Sequence, residues 1–139
     1  MEIEIQDDQD VPLDTERLIN CLSGCLQRAR CEDSELSLLL TTDERIQELN
    51  ATYRGKPVPT DVLSFRQEEE GGPGLGNLLG DIVISVPTAE RQARENGISL
   101  DEEIEALAVH GLLHLLGHDH ETEGWESWEI ALKEVYPDE

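Results

Sequence analysis

His110-Gly111-Leu112-Leu113-His114-Leu115-Leu116-Gly117-His118-Asp119-His120 contains every histidine of this 139-residue chain, and the rest of the sequence reads as its support. His110 and His114 are four positions apart. On an α-helix that spacing is about 400° of rotation and roughly 6 Å of rise, so both imidazoles leave one face a turn apart. Two ring nitrogens so placed can reach a single metal ion at about 2.0–2.1 Å each. On the same straight helix His118 would lie about 12 Å from His110 along the axis, too far to share that ion. Gly117 resolves the difficulty, because glycine takes the left-handed conformation that ends a helix and turns the chain back. Past such a turn either His118 or His120 can return to the pair. Three histidines with an open fourth position describe a catalytic zinc site, whereas structural sites are usually closed by four protein ligands.

A single histidine on an apolar helix face is usually a satisfied core residue. Three at this spacing, with glycine at the bend, are better explained by a metal. The spacing is that of the metzincin proteases, H-E-x-x-H-x-x-G-x-x-H, with one change: Gly111 stands where those enzymes carry the glutamate general base. Their Met-turn is missing as well, since the only methionine is Met1. The ligand scaffold is present without the peptidase base, which points to a zincin-like site with different chemistry.

The length suits one domain, residues 1–139, with a real core. Met1-Glu2-Ile3-Glu4-Ile5 has neither the basic nor the apolar region of a signal peptide, and no apolar run approaches a bilayer's thickness. A cytoplasmic protein without membrane contact is expected. Cys21, Cys25 and Cys31, odd in number and confined to one segment, make a poor disulfide framework. Cys21 and Cys25 could help hold a metal, but reduced, small apolar side chains on a helix are the simpler reading. The net charge of −22 opposes loose binding to phosphate backbones taken as a whole. Locally the balance reverses, because Arg54, Lys56 and Arg66 face only Asp61 between positions 54 and 66.

Along the chain, Glu2–Gln6 alternates as a short strand. Asp14 caps a helix over roughly 15–30, with Leu18, Leu22, Cys25, Leu26 and Ala29 as its stripe. Glu35–Leu40 is strand-like, and Thr41-x-x-Glu44 reads as a capping box opening a helix that buries Ile46, Leu49 and Tyr53. Pro57 and Pro59 stop that helix. Thr60–Phe65 and Leu78–Ser85 are strands of a hairpin joined by the loop Gln67–Asn77. Pro87 starts a helix that Gly97 ends, and Ser99-x-x-Glu102 is a second capping box. The helix after it is apolar on nearly all sides, the mark of a buried helix. A last helix carries Trp125, Trp128, Leu132 and Val135.

Three motifs in order resemble the YbeY endoribonucleases: Leu49-Asn50-x-x-Tyr53-Arg54-Gly55-Lys56 with Pro59-Thr60-Asp61-Val62-Leu63-Ser64-Phe65, then Leu79-Gly80-Asp81-Ile82, then the histidine segment. The likeness runs from about residue 35 to 125. It implies an α+β fold, a four-stranded mixed sheet packed with about five helices around a zincin-like site. It implies a single-strand-preferring endoribonuclease that uses one zinc ion and a metal-activated water in ribosomal RNA 3′-end maturation and ribosome quality control. Its partners would be single-stranded or ribosomal RNA, the small ribosomal subunit and its assembly factors. The resemblance maps the metal ligands onto His110, His114 and His120, the active-site arginine onto Arg54, and an acidic site position onto Asp81.

On this reading Arg54 grips a phosphate. Asp81 either orients a ligand imidazole through its second nitrogen or serves hydrogen bonding at a strand end. Asp119 invites the same role. With Gly111 in place of glutamate the general base is unassigned, and the attacking group is left open between metal-bound hydroxide and the RNA 2′-hydroxyl. The rival from another class is a ribosome-assembly factor with a closed structural zinc, and a metallopeptidase is a more distant one.

Overall fold

The computed structural model describes residues 2–31, 33–66 and 78–116. The expectations for the loop Gln67–Asn77, for Gly117, His118, Asp119 and His120, and for the last helix lie outside the described residues. Within them the order is β1 (Glu2–Asp7), α1 (Thr15–Arg28), β2 (Glu35–Thr41), α2 (Asp43–Arg54), β3 (Val62–Arg66), β4 (Leu78–Ser85), α3 (Val86–Asn96) and α4 (Leu100–Leu115). The four strands form one sheet in the order β1-β2-β4-β3. β1, β2 and β4 run parallel, and β3 returns antiparallel to β4 at the edge. This is the expected α+β arrangement with a mixed sheet, and four of the anticipated helices fall among the described residues.

Strand alternation divides the core in two. Leu36, Leu38 and Leu40 of β2 and Ile82 and Ile84 of β4 face α1 and α4, where they meet Leu18, Leu22, Leu26, Ala108, Val109 and Leu112. The intervening positions face α2, where Ile46, Phe65 and Val83 make a much smaller cluster. α1 and α4 are further joined by an ion pair between Arg17 Nε and Glu105 Oε2 at 2.7 Å, with the Glu105 side chain almost fully buried.

The caps show which local signals held. Asp14 accepts from the Arg17 amide, and Gly97 ends α3 in the left-handed region. α2 departs from expectation by one residue. Its cap is Thr42, whose hydroxyl accepts from the Arg45 amide, while Thr41 completes β2 with its hydroxyl buried. The anticipated Thr41–Glu44 capping box is therefore absent, because the sheet claims Thr41 first. The second correction concerns Tyr53. It continues the Ile46 stripe but is 55% exposed, because the last turn of α2 reaches beyond the small cluster it packs on.

Candidate active site

α4 is held from both ends and along one side. At its start Ser99 accepts from the Glu102 amide at 3.1 Å, and the Ser99 amide donates to Glu102 Oε1 at 2.9 Å, the reciprocal capping box expected from sequence. Along its length Leu107, Ala108, Val109, Leu112, Leu113 and Leu115 are buried, as an all-round apolar helix should be. At its end Arg66 of β3 forks onto the His114 carbonyl, with Nε at 3.2 Å and Nη2 at 2.8 Å. The last carbonyls of a helix lack intrahelical donors, and a cation there also opposes the negative end of the helix dipole. Arg66 thus clamps the backbone of the residue that carries the second imidazole. Sequence reasoning counted Arg66 only as local positive charge. No spacing rule links a strand residue to a helix end 48 positions later.

Two glycines let α4 lie close to the sheet. A Cβ on Gly111 would stand 3.0 Å from Ile82 Cγ2. A Cβ on Gly80 would stand 2.2 Å from the Phe65 carbonyl oxygen and 3.0 Å from Leu115, and the backbone φ there is +149°. Position 111, where the proteases carry their base, therefore faces the sheet. A glutamate at this point would be driven into Ile82 rather than toward the histidines.

His110 and His114 are both half-buried on α4, one turn apart. Burial holds the His110 imidazole below its ordinary pKa, and the charge of Asp61 partly opposes this. The neutral ring is the form that binds metals. Asp61 is itself fixed: its carboxylate accepts from the Val62 amide at 2.8 Å and from Gln92 Nε2 at 3.2 Å, and its carbonyl accepts from the Ser85 amide at 2.9 Å. The same charge is felt by Glu103, two turns before His110, whose carboxyl is raised chiefly by burial.

Asp81 is placed otherwise. Gly80 and Ile82 meet α4, so the alternation of β4 puts Asp81 on the opposite face, paired with Phe65 of β3. Asp81 thus shares the sheet face of Phe65 and Arg54, away from His110 and His114 on α4, while the third expected ligand ring lies outside the described residues. Among the described residues, a carboxylate whose charge reaches His110 is that of Asp61.

Arg54 ends α2 and reaches the edge strand. Its Nη2 donates to the Ser64 carbonyl at 2.7 Å, and its guanidinium carbon lies 5.0 Å above the Phe65 ring centroid. β3 thus has Arg54 at its edge, while Val62 packs into the core shared with α4 and Arg66 binds the His114 carbonyl.

Among the described residues no three His, Cys, Asp or Glu side chains converge as a metal-holding group. The third expected ligand, His120, lies outside them. The two described donors fit a zinc ion in type and spacing, and His110 presents a buried Nε2 in a setting that favours the neutral ring. The cysteines do not join them. Cys25 belongs to the main core, all three are unbridged, and a hydrogen bond with Cys25 together with burial pushes the Cys21 thiol far up, as expected of inert thiols.

The described residues define a class: an α+β domain that offers a histidine pair from a buried helix beside the edge strand of a mixed sheet. The family model described as Endoribonuclease YbeY matches residues 2–134. The Endoribonuclease YbeY of Moorella thermoacetica is 51% identical over 135 residues, covering 88% of this chain and 86% of that protein. That of Aquifex aeolicus is 57% identical over 102 residues, covering 73% and 67%. The solution structure of TM1509 from Thermotoga maritima superposes with a TM-score of 0.60 at 29% identity, covering 97% of this chain and 86% of that one. The chain belongs to the YbeY endoribonuclease family.

Proposed function

We propose that this chain is a zinc-dependent endoribonuclease that cuts single-stranded RNA, with ribosomal RNA 3′-end maturation and ribosome quality control in the cytoplasm as its setting. The observation that carries the reading is the His110–His114 pair on a helix fixed by core, cap and Arg66 clamp, in a chain whose relatives are named endoribonucleases. One zinc ion would be held by His110, His114 and His120. When bound, such an ion supplies an activated water and polarises a phosphoryl oxygen.

The chain's own residues do the rest. Burial keeps His110 in the neutral form a ligand needs. Arg66 fixes the helix end from which His114 projects. Arg54, planar and permanently charged, presents beside Ser64 the forked donor geometry that matches a phosphate. Held there before the substrate arrives, its charge opposes the negative charge that develops during phosphodiester cleavage. A peptidase is disfavoured because position 111 faces Ile82. The test is His114→Ala against the unaltered protein on a single-stranded RNA. Cleavage should fall at least about 1000-fold, a loss of roughly 4 kcal/mol in transition-state stabilisation. Undiminished cleavage by the variant refutes the mechanism, and a zinc-loaded unaltered protein that binds RNA without cutting it establishes the assembly-factor reading.

A further inference from the structure

The sheet edge next to Arg54 has a composition unlike the rest of the chain. Acidic residues make up 32 of 139 positions, yet none occurs from Leu49 to Thr60. Thr52 to Pro59 are all exposed, and this run contains Arg54 and Lys56. Two of the three exposed large apolar side chains among the described residues stand in it: Tyr53 at 55% and Val58 at 54%.

The patch is also held in shape. Gly55 turns the chain in the left-handed region, and the Lys56 amide returns to the Asn50 carbonyl at 3.2 Å. Asn50 Nδ2 donates to the Val58 carbonyl at 2.9 Å, and Gln47 Nε2 donates to the Pro57 carbonyl at 3.1 Å. Phe65, rooted in the smaller core, supports both neighbours at the surface. Tyr53 meets it edge to face with centroids 5.3 Å apart, and Arg54 lies over it. A fixed, solvent-facing aromatic ring beside a fixed guanidinium matches the two parts of one nucleotide, a base with a π-face and a phosphate.

We propose that Tyr53 is a stacking platform for one unpaired base of the RNA strand, with Arg54 and Lys56 taking the phosphates on either side. This rests on the nuclease reading for its ligand and adds the surface that positions the strand. Stacking requires a base splayed out of any duplex, so the platform selects unpaired RNA by shape rather than by sequence. It also explains how so acidic a chain holds RNA. Repulsion elsewhere is long-ranged and screened beyond about 8–10 Å at physiological salt, while stacking is a contact interaction that salt does not weaken in the same way.

The experiment is steady-state cleavage of a short single-stranded RNA by the zinc-loaded full chain, comparing unaltered protein, Tyr53→Phe and Tyr53→Leu. Parallel anisotropy measurements use the same RNA carrying a fluorophore. Tyr53→Leu should raise KM and weaken RNA binding by about tenfold, within the range that removing a base–aromatic stack produces. Tyr53→Phe should stay near the unaltered protein, and kcat and its pH profile should not move. An oligonucleotide with abasic positions should bind the unaltered protein and Tyr53→Leu equally. Unchanged KM and binding in Tyr53→Leu overturn the platform and leave the patch to a protein partner. Equal losses in Phe and Leu variants, with a lowered thermal midpoint, also overturn it by making Tyr53 a structural residue. An unaltered protein that neither binds nor cuts RNA removes the nuclease reading and this inference together, whereas one that binds without cutting refutes only the former.

Discussion

The two faces of the sheet are built to different standards. On one, α1 and α4 close a continuous core around Leu22, Leu38, Ile82, Ile84 and Leu112, and the histidine pair rides on that rigid body. On the other, among the described residues, α2 covers a smaller cluster of Ile46, Phe65 and Val83 with Leu39, Leu49 and Leu63 partly buried beside it, and its last turn leaves Tyr53 in solvent. The first face mounts His110 and His114 on a buried, capped helix. The second, among the described residues, leaves Tyr53, Arg54 and Lys56 exposed, as a binding surface would. Among the described residues, burial thus sets the histidine-bearing helix apart from the exposed Tyr53–Arg54 edge, with β3 between them.

If that asymmetry is real, truncation should show it first. Leu112→Ala should cost about 2–5 kcal/mol, since it empties a fully buried site between α4 and the sheet. Leu63→Ala, beside the smaller cluster and only partly buried, should cost less than about half as much. Equal costs from urea unfolding would erase the distinction.

Arg66→Ala should be milder globally, about 1–2 kcal/mol, because it removes charge-assisted hydrogen bonds at one helix end. Its specific mark should be faster amide exchange in the last turn of α4 and weaker zinc binding. Uniform destabilisation without either change would make Arg66 an ordinary packing residue.

The smallest effect is electrostatic. Burial raises the Glu103 carboxyl above its ordinary range, a hydrogen bond from Asn96 opposes this, and the Asp61 charge adds to it. A raised folded-state pKa means the folded protein holds its proton longer than the unfolded chain does. Stability linked to Glu103 is thus fully present below the ordinary glutamate range and lost as pH rises through the elevated folded value. Glu103→Gln should be more stable than the unaltered protein near pH ~7, and the two should converge near pH ~4. A constant difference across that window would remove Glu103 from the ledger of buried charge on α4.

Much of the fold was legible because it is written locally. The Ser99–Glu102 capping box, the Asp14 cap and the glycine that ends α3 each involve groups within a few residues of one another. The alternation of β1 and the all-round apolar α4 follow from period alone. What escaped depends on distance. The choice of Thr42 over Thr41 as cap was decided by pairing with β4. Tyr53 follows a helical stripe that sequence extends without knowing where the opposing surface ends. Asp61 reads in sequence only as a charge within a basic window, and the contact of α4 with β3 is what brings its charge to His110. The His110–His114 pair itself was readable because both groups lie on one helix turn, whereas the Arg66 clamp joins two distant elements.

The central proposal is that the helix-borne pair supplies two of three metal ligands. Elemental analysis of the purified chain, unaltered and as His114→Ala, tests it most directly. One zinc per chain in the unaltered protein, falling to near zero in a variant that keeps its fold, is the predicted result. Full zinc content in folded His114→Ala would contradict it.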